Sequence, residues 1–150
     1  MKILLTILIL LPILVCVYFA YLSMNEKEPD TALIDGKLRG CPNTPNCVSS
    51  EAVGEKFIEP LKPADSTGLD ALWEKSIAAL SDLGGNVKTQ NGDFVWATFK
   101  SKLFKFTDDV EMYKDNEAGV IQIRSSSRSG KSDLGVNRKR VEALRAAAGS

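Results

Sequence analysis

The rhythm of apolar and polar positions changes four times along the 150-residue chain. Over 3–22, twenty residues carry no charge, and only Thr6 and Pro12 interrupt the apolar run. At about 1.5 Å per residue a helix of that length spans roughly 30 Å, the hydrocarbon thickness of a bilayer. Over 38–63 no period holds. Pro42, Pro45, Pro60 and Pro63 forbid a long helix, and apolar pairs such as Phe57-Ile58 are short. This stretch reads as an extended arm wrapped over the rest. Helical spacing returns at Leu69, Leu72, Trp73, Ile77 and Leu80, predicting a helix over 67–83 that Thr67 and Asp70 cap and Gly84-Gly85 ends.

Period-two patterning follows. "NVKTQ" is a short strand, and "NGD" behind it signals a hairpin into "FVWATFKS". In "DDVEMYKD", Val110 and Met112 share one face while Asp109, Glu111 and Tyr113 share the other. In "VIQIRSSS", Ile121, Ile123 and Ser125 oppose Gln122, Arg124 and Ser126. Short turns between consecutive strands mean antiparallel pairing, so one exposed face is expected to carry Asp109 and Glu111 beside Arg124. A last helix starts at 133 or 136, capped by Asp133, and runs to 148 with Val141, Leu144 and Ala148 as its apolar stripe. The predicted class is α+β. An N-terminal transmembrane helix precedes a two-layer domain with a small antiparallel sheet of three to four strands, one long helix before it and one after. The expected organisation is an anchor over 1–23, a linker over 24–37 and one domain over 38–150.

Flanking chemistry bears on the first segment. Its exit, "FAYLSMNEKEP", has no clean Ala-x-Ala, and Tyr18, Phe19 and Tyr21 resemble an interfacial aromatic belt. An uncleaved anchor is the leading reading. A cleaved signal is the alternative, and a lipoprotein using Cys16 is disfavoured because Val15 before it is not small. Lys2 precedes the helix and three acids follow it, which puts the remainder outside the cytoplasm, on the periplasmic side in a bacterium. Cys41 and Cys47 close a proline-stiffened loop, suited to a disulfide in an exported domain; two free thiols are the other possibility. Two thiolates without histidine make a poor metal site, and no metal or cofactor is expected.

The chain has no histidine, which removes Ser-His-Asp and Cys-His catalysis. Net charge is zero, yet residues 26–82 sum to −5 and residues 121–150 to +5. Such asymmetry fits either a polyanion site or mutual packing of the two ends. Export argues against nucleic acid as a partner and for an anionic ligand, lipid headgroup or envelope polymer, with the membrane itself engaged by the first helix.

The positive end is concentrated in "RSSSRSGKSDLGVNRKR", which holds four arginines, two lysines and five serines. Two readings stand side by side. In a cradle, Arg124, Arg128 and Lys131 approach an anion held at the start of the last helix, where Asp133, Asn137 and Arg138 lie. In an ion-pair lattice, Arg124 pairs with Asp109 or Glu111 and Arg138 with Asp133 or Glu142. Ser49 and Ser50 lack a motif that supplies a base. Of Asp108, Asp109 and Glu111 only the last two share a face, two ligands are few for a cation site, and Arg124 is expected to compete for them. No catalytic residue is assigned. A non-catalytic binding or assembly module for an anionic ligand or partner is expected, ahead of a histidine-free hydrolase or transferase using Asp109 or a serine.

Two stretches, "CPNTPNCVSS" and "FTDDVE…IQIRSSSRSGKSDLGVNRKRVEALR", resemble the bacterial and plastid family known as domain of unknown function 1499, over roughly 38–145. Cys41, Cys47, Asp109, Arg124, Arg128, Asp133, Asn137, Arg138 and Arg140 are among the matching positions. The resemblance implies a compact domain, often membrane-attached or exported, and brings no activity with it.

Overall fold

The computed structural model describes residues 2–64 and 68–150. Helix α1, Lys2–Met24, contains Pro12 and stands out from the rest, with none of its apolar stretch buried. Thr6–Met24 is long and apolar enough to cross a membrane, a property it shares with signal sequences. The domain behind it is α+β. Strands β1 (Cys47–Ser49), β2 (Asn86–Asn91), β3 (Phe94–Lys100), β4 (Thr107–Asp115) and β5 (Val120–Ser127) form one antiparallel sheet in the order β1-β5-β4-β3-β2. Helices α2 (Leu69–Asp82) and α3 (Val136–Ala148) pack on each other and on one sheet face.

The sheet has five strands, where three to four were expected. The addition is β1, three residues inside the arm that pair with β5, Val48 opposite Ser125. Three residues show no period, so only the fold reveals this strand. The arm continues as edge cover: Ser49 bridges Phe57, and Leu61 bridges Ile121. The expected Thr67 cap lies outside the described residues; α2 begins after Gly68, and Leu72, Trp73, Ala79 and Leu80 are buried. At its end the chain turns on Gly84, and Gly85 passes so close that a Cβ there would sit 2.6 Å from the Leu80 carbonyl oxygen.

Period two sorts the sheet residues. Val95, Ala97, Val110, Met112, Ile121 and Ile123 face the helices and form the core with Leu72, Leu80, Val141 and Leu144. The opposite face carries Trp96, Asp109, Glu111 and Arg124 in register. This face was expected to be exposed and is buried: Asp109 is 3%, Glu111 1% and Arg124 4% accessible. The cover is the arm, pinned by a disulfide between Cys41 and Cys47. Tyr113, also on this face, donates to Glu51, whose other oxygen receives the Leu38 backbone N–H. Burial, then the charges of Glu51 and Asp115, push the phenol up to about 12.

Candidate anion-binding site

The arm-side face is built from charges that the strand register brings level. Glu111 stands opposite Arg124 on β5 and opposite Trp96 on β3. Arg39 reaches in from the arm, and its Nε and Nη2 donate to Glu111 Oε1 at 3.0 and 2.6 Å. Arg124 Nη1 donates to the other oxygen at 3.2 Å. One buried carboxylate thus serves two guanidiniums. Beside it, Arg128 sets a fork on Asp109, Nε to Oδ2 and Nη2 to Oδ1, both at 2.9 Å. Trp96 Nε1 also donates to Asp109, at 2.8 Å, and the Arg128 guanidinium lies 5.9 Å from the Trp96 ring centre.

The two arginines differ electrostatically. The hydrogen bonds to Asp109 hold the Arg128 pKa above its usual value, against the effect of burial. Burial pushes Arg124 below its usual value; Glu111 opposes this, and the positive Arg39 adds to it. A guanidinium offers five N–H donors. Among the described residues Arg124 uses one of them, on Glu111, and its Nε has no partner.

Between arm and sheet lies a cavity of about 400 Å³. Lys27, Arg39, Arg124 and Arg128 line it, with Asp109 the one carboxylate of the lining and Glu111 behind. Cys41 and Pro42 of the disulfide loop close one wall. The lining therefore carries more positive than negative charge, in a volume within the usual range of small-ligand pockets.

The family described as protein of unknown function (DUF1499) matches residues 37–147. The chain belongs to that family. No curated protein and no solved structure matches it.

The helix-side face of the DUF1499 domain holds a second polar network, at the start of α3. Asn137 is fully buried. Its amide nitrogen faces the Asn46 carbonyl, Ser127 Oγ and Asp133 Oδ2 at 3.1, 3.0 and 2.8 Å, and its Oδ1 accepts from Ser125 and Arg140. Arg140 also donates to Asp108 Oδ2 at 2.5 Å and sits 4.8 Å from the Phe99 ring centre. Asp133 accepts the backbone N–H groups of Gly135 and Asn137 at 3.0 and 2.7 Å. Burial raises the Asp133 pKa, but these backbone bonds and the Asn137 amide outweigh it and hold the carboxyl below the ordinary value.

The predicted site residues therefore separate. Arg124 and Arg128 meet in the arm-side cavity. Asp133 and Arg138 line a different cavity, of about 270 Å³, with the arm residues Glu55 and Lys56. At the start of α3 the protein's own Asp133 takes the N–H groups that an external anion would use. Arg128, one residue past β5, is held by Asp109 of the adjacent strand β4 and also lies 3.7 Å from Glu28, so it is not left free for a ligand at the start of α3. Arg138 pairs with neither Asp133 nor Glu142; its Nη2 donates to the backbone carbonyls of Glu55 and Phe57, tying α3 to the arm. Lys131 is exposed on the loop between β5 and α3. Arg39 and Arg140 join these networks, and Lys27 lines the cavity, without having been candidates. Arg39 is two residues before the cysteine loop, and that adjacency was the signal available for it. Among the described residues no group of three or more His, Cys, Asp or Glu converges to hold a metal.

Proposed function

We propose that this DUF1499 protein is a membrane-anchored, extracytoplasmic binding module whose arm-side cavity takes a phosphate-bearing ligand. The observation that carries the reading is Arg124, a buried guanidinium in the cavity wall with most of its donors unspent. Arg124 and Arg39 share the single carboxylate of Glu111, and a buried charge so thinly compensated is costly; a bound anion offsets that cost. Four cations line the cavity with one lining carboxylate, Asp109, while Glu111 stands behind it and Glu28 lies 3.7 Å from Arg128. Planar guanidinium forks suit the several acceptor oxygens of a phosphate group. Binding is favoured over catalysis because the carboxylates are committed. Asp109 receives a guanidinium fork and an indole N–H, so neither oxygen stands ready as a base. Ser50, the neighbouring candidate nucleophile, donates to Gln122 and accepts from the Ile123 N–H.

The test is calorimetric titration of the full chain in detergent with inorganic phosphate and a phosphomonoester, in low and high salt. Saturable binding that weakens with salt is expected. Lys27→Ala should weaken it several-fold while leaving the melting temperature unchanged. Arg124→Gln should abolish it. No binding by the unmodified chain at low salt overturns the reading.

A further inference from the structure

Two loops flank the last turns of α1, and apart from Arg128 at the root of the second neither lines the cavity. The first joins β3 to β4 and reads "SKLFKF" over 101–106. Its rings pack on α1: Phe19 lies 5.0 Å from Phe104 and 6.1 Å from Phe106, centre to centre. Glu26, just past α1, accepts the Thr107 backbone N–H at 3.0 Å and fastens the base of the same hairpin. The second loop joins β5 to α3. Its Gly130, Ser132 and Asp133 share a largely apolar cleft with Phe19, Leu22 and Phe106.

Phe19 is five residues before the end of α1, about 7.5 Å along the axis at 1.5 Å per residue. If α1 lies in a bilayer, both loops stand at the level of its boundary. Each loop then presents what a membrane surface takes. Leu103 is 78% and Leu134 87% accessible, large apolar side chains at loop tips. Lys100, Lys102 and Lys105 surround the first and Lys131 accompanies the second, all exposed. The hairpin segment 100–106 contains no acid. An apolar tip ringed by lysine, with a second apolar tip near Lys131 and beside Asp133, whose carboxylate is turned onto the α3 N–H groups, matches an anionic interface, where the apolar group enters the headgroup layer and each basic charge adds attraction.

We infer that the β3–β4 hairpin and the β5–α3 loop form a two-pronged foot that seats the domain on the anionic bilayer surface beside α1. The inference goes beyond the cavity reading and rests on α1 lying in the membrane. It gives Lys131 and Leu134 a role that the ligand site does not use. It also fixes the domain's orientation, since two prongs on different elements resist rotation about α1 where one tether does not.

Full-length chain in proteoliposomes tests it, with bromine-labelled phosphatidylcholine as the quencher, alone or mixed equally with phosphatidylglycerol. Single tryptophans are placed by Leu103→Trp, Leu134→Trp and Ile9→Trp, and the signal of the parent's buried Trp73 and Trp96 is subtracted. The Ile9→Trp emission should be quenched in both bilayers. The Leu103→Trp and Leu134→Trp emissions should shift to the blue and be quenched in the anionic bilayer. Adding Lys102→Glu and Lys105→Glu to Leu103→Trp should remove most of that quenching. Water-like, unquenched emission from either loop, with Ile9→Trp quenched, overturns the foot while leaving the anchor. An unquenched Ile9→Trp overturns both. Equal loop quenching with and without phosphatidylglycerol overturns the role given to the lysines. The phosphate titration is independent of every one of these outcomes.

Discussion

At the scale of single residues, Glu111 decides most. It is the shared partner of Arg39 and Arg124, and 1% of it is accessible. Replacing both members of a buried pair with apolar groups is often tolerated, whereas removing one leaves an unpaired buried charge. Glu111→Gln should therefore lower stability by about 3–5 kcal/mol in denaturant titrations. Combining it with Arg124→Met should recover part of that loss. The alternation in "DDVEMYKD" and "VIQIRSSS" was enough to put Asp109, Glu111 and Arg124 on one face. It was not enough to show that the face is covered. Burial there comes from Arg39 and the arm, which contact the sheet across 72 residues of sequence in the case of Arg39 and Glu111. Periodicity reports which face a side chain takes and carries no information about what lies on top of it.

At the scale of elements, the β5–α3 junction shows how one acid organises a helix start. Asp133 takes the Gly135 and Asn137 N–H groups although Gly135 is the residue at the cap position. Asp133→Ala should cost about 1–2 kcal/mol at neutral pH. Because the folded carboxyl titrates below the usual 3.8, its contribution is complete above the unfolded value and is lost as pH falls through the folded one. The gap in melting temperature between parent and variant should accordingly close in acid. Strands β4 and β5 and helices α2 and α3 were legible from their period, β2 and β3 from the NGD hairpin signal and β-rich composition. Strand β1 was not, since its pairing is decided by the disulfide loop and by β5 rather than by its own three residues. Helical phase likewise hid the division of labour between Arg138, which turns to the arm, and Arg140, which turns to Asp108.

At the scale of the whole molecule, the two ends of opposite charge do pack together, but through particular pairs rather than a general field. Arg128 of the basic end lies 3.7 Å from Glu28 of the acidic one, while Arg138 and Arg145 of α3 bind arm carbonyls at Glu55, Phe57, Glu59 and Pro60. Strand β2 lies at the free edge of this assembly, with its side chains mostly exposed and its register broken between Val87 and Thr89. Lys88 occupies that irregularity, so the outer edge is both kinked and charged, which discourages another strand from pairing with it. If α1 confines every copy to one sheet of lipid, encounters between domains happen in two dimensions and with similar orientations, conditions that favour edge-to-edge growth. Lys88→Val should then leave the melting temperature nearly unchanged yet promote clustering as the protein-to-lipid ratio rises, read by chemical crosslinking in proteoliposomes. In that setting the kink in β2 would set how densely a membrane can be populated before neighbouring copies begin to polymerise.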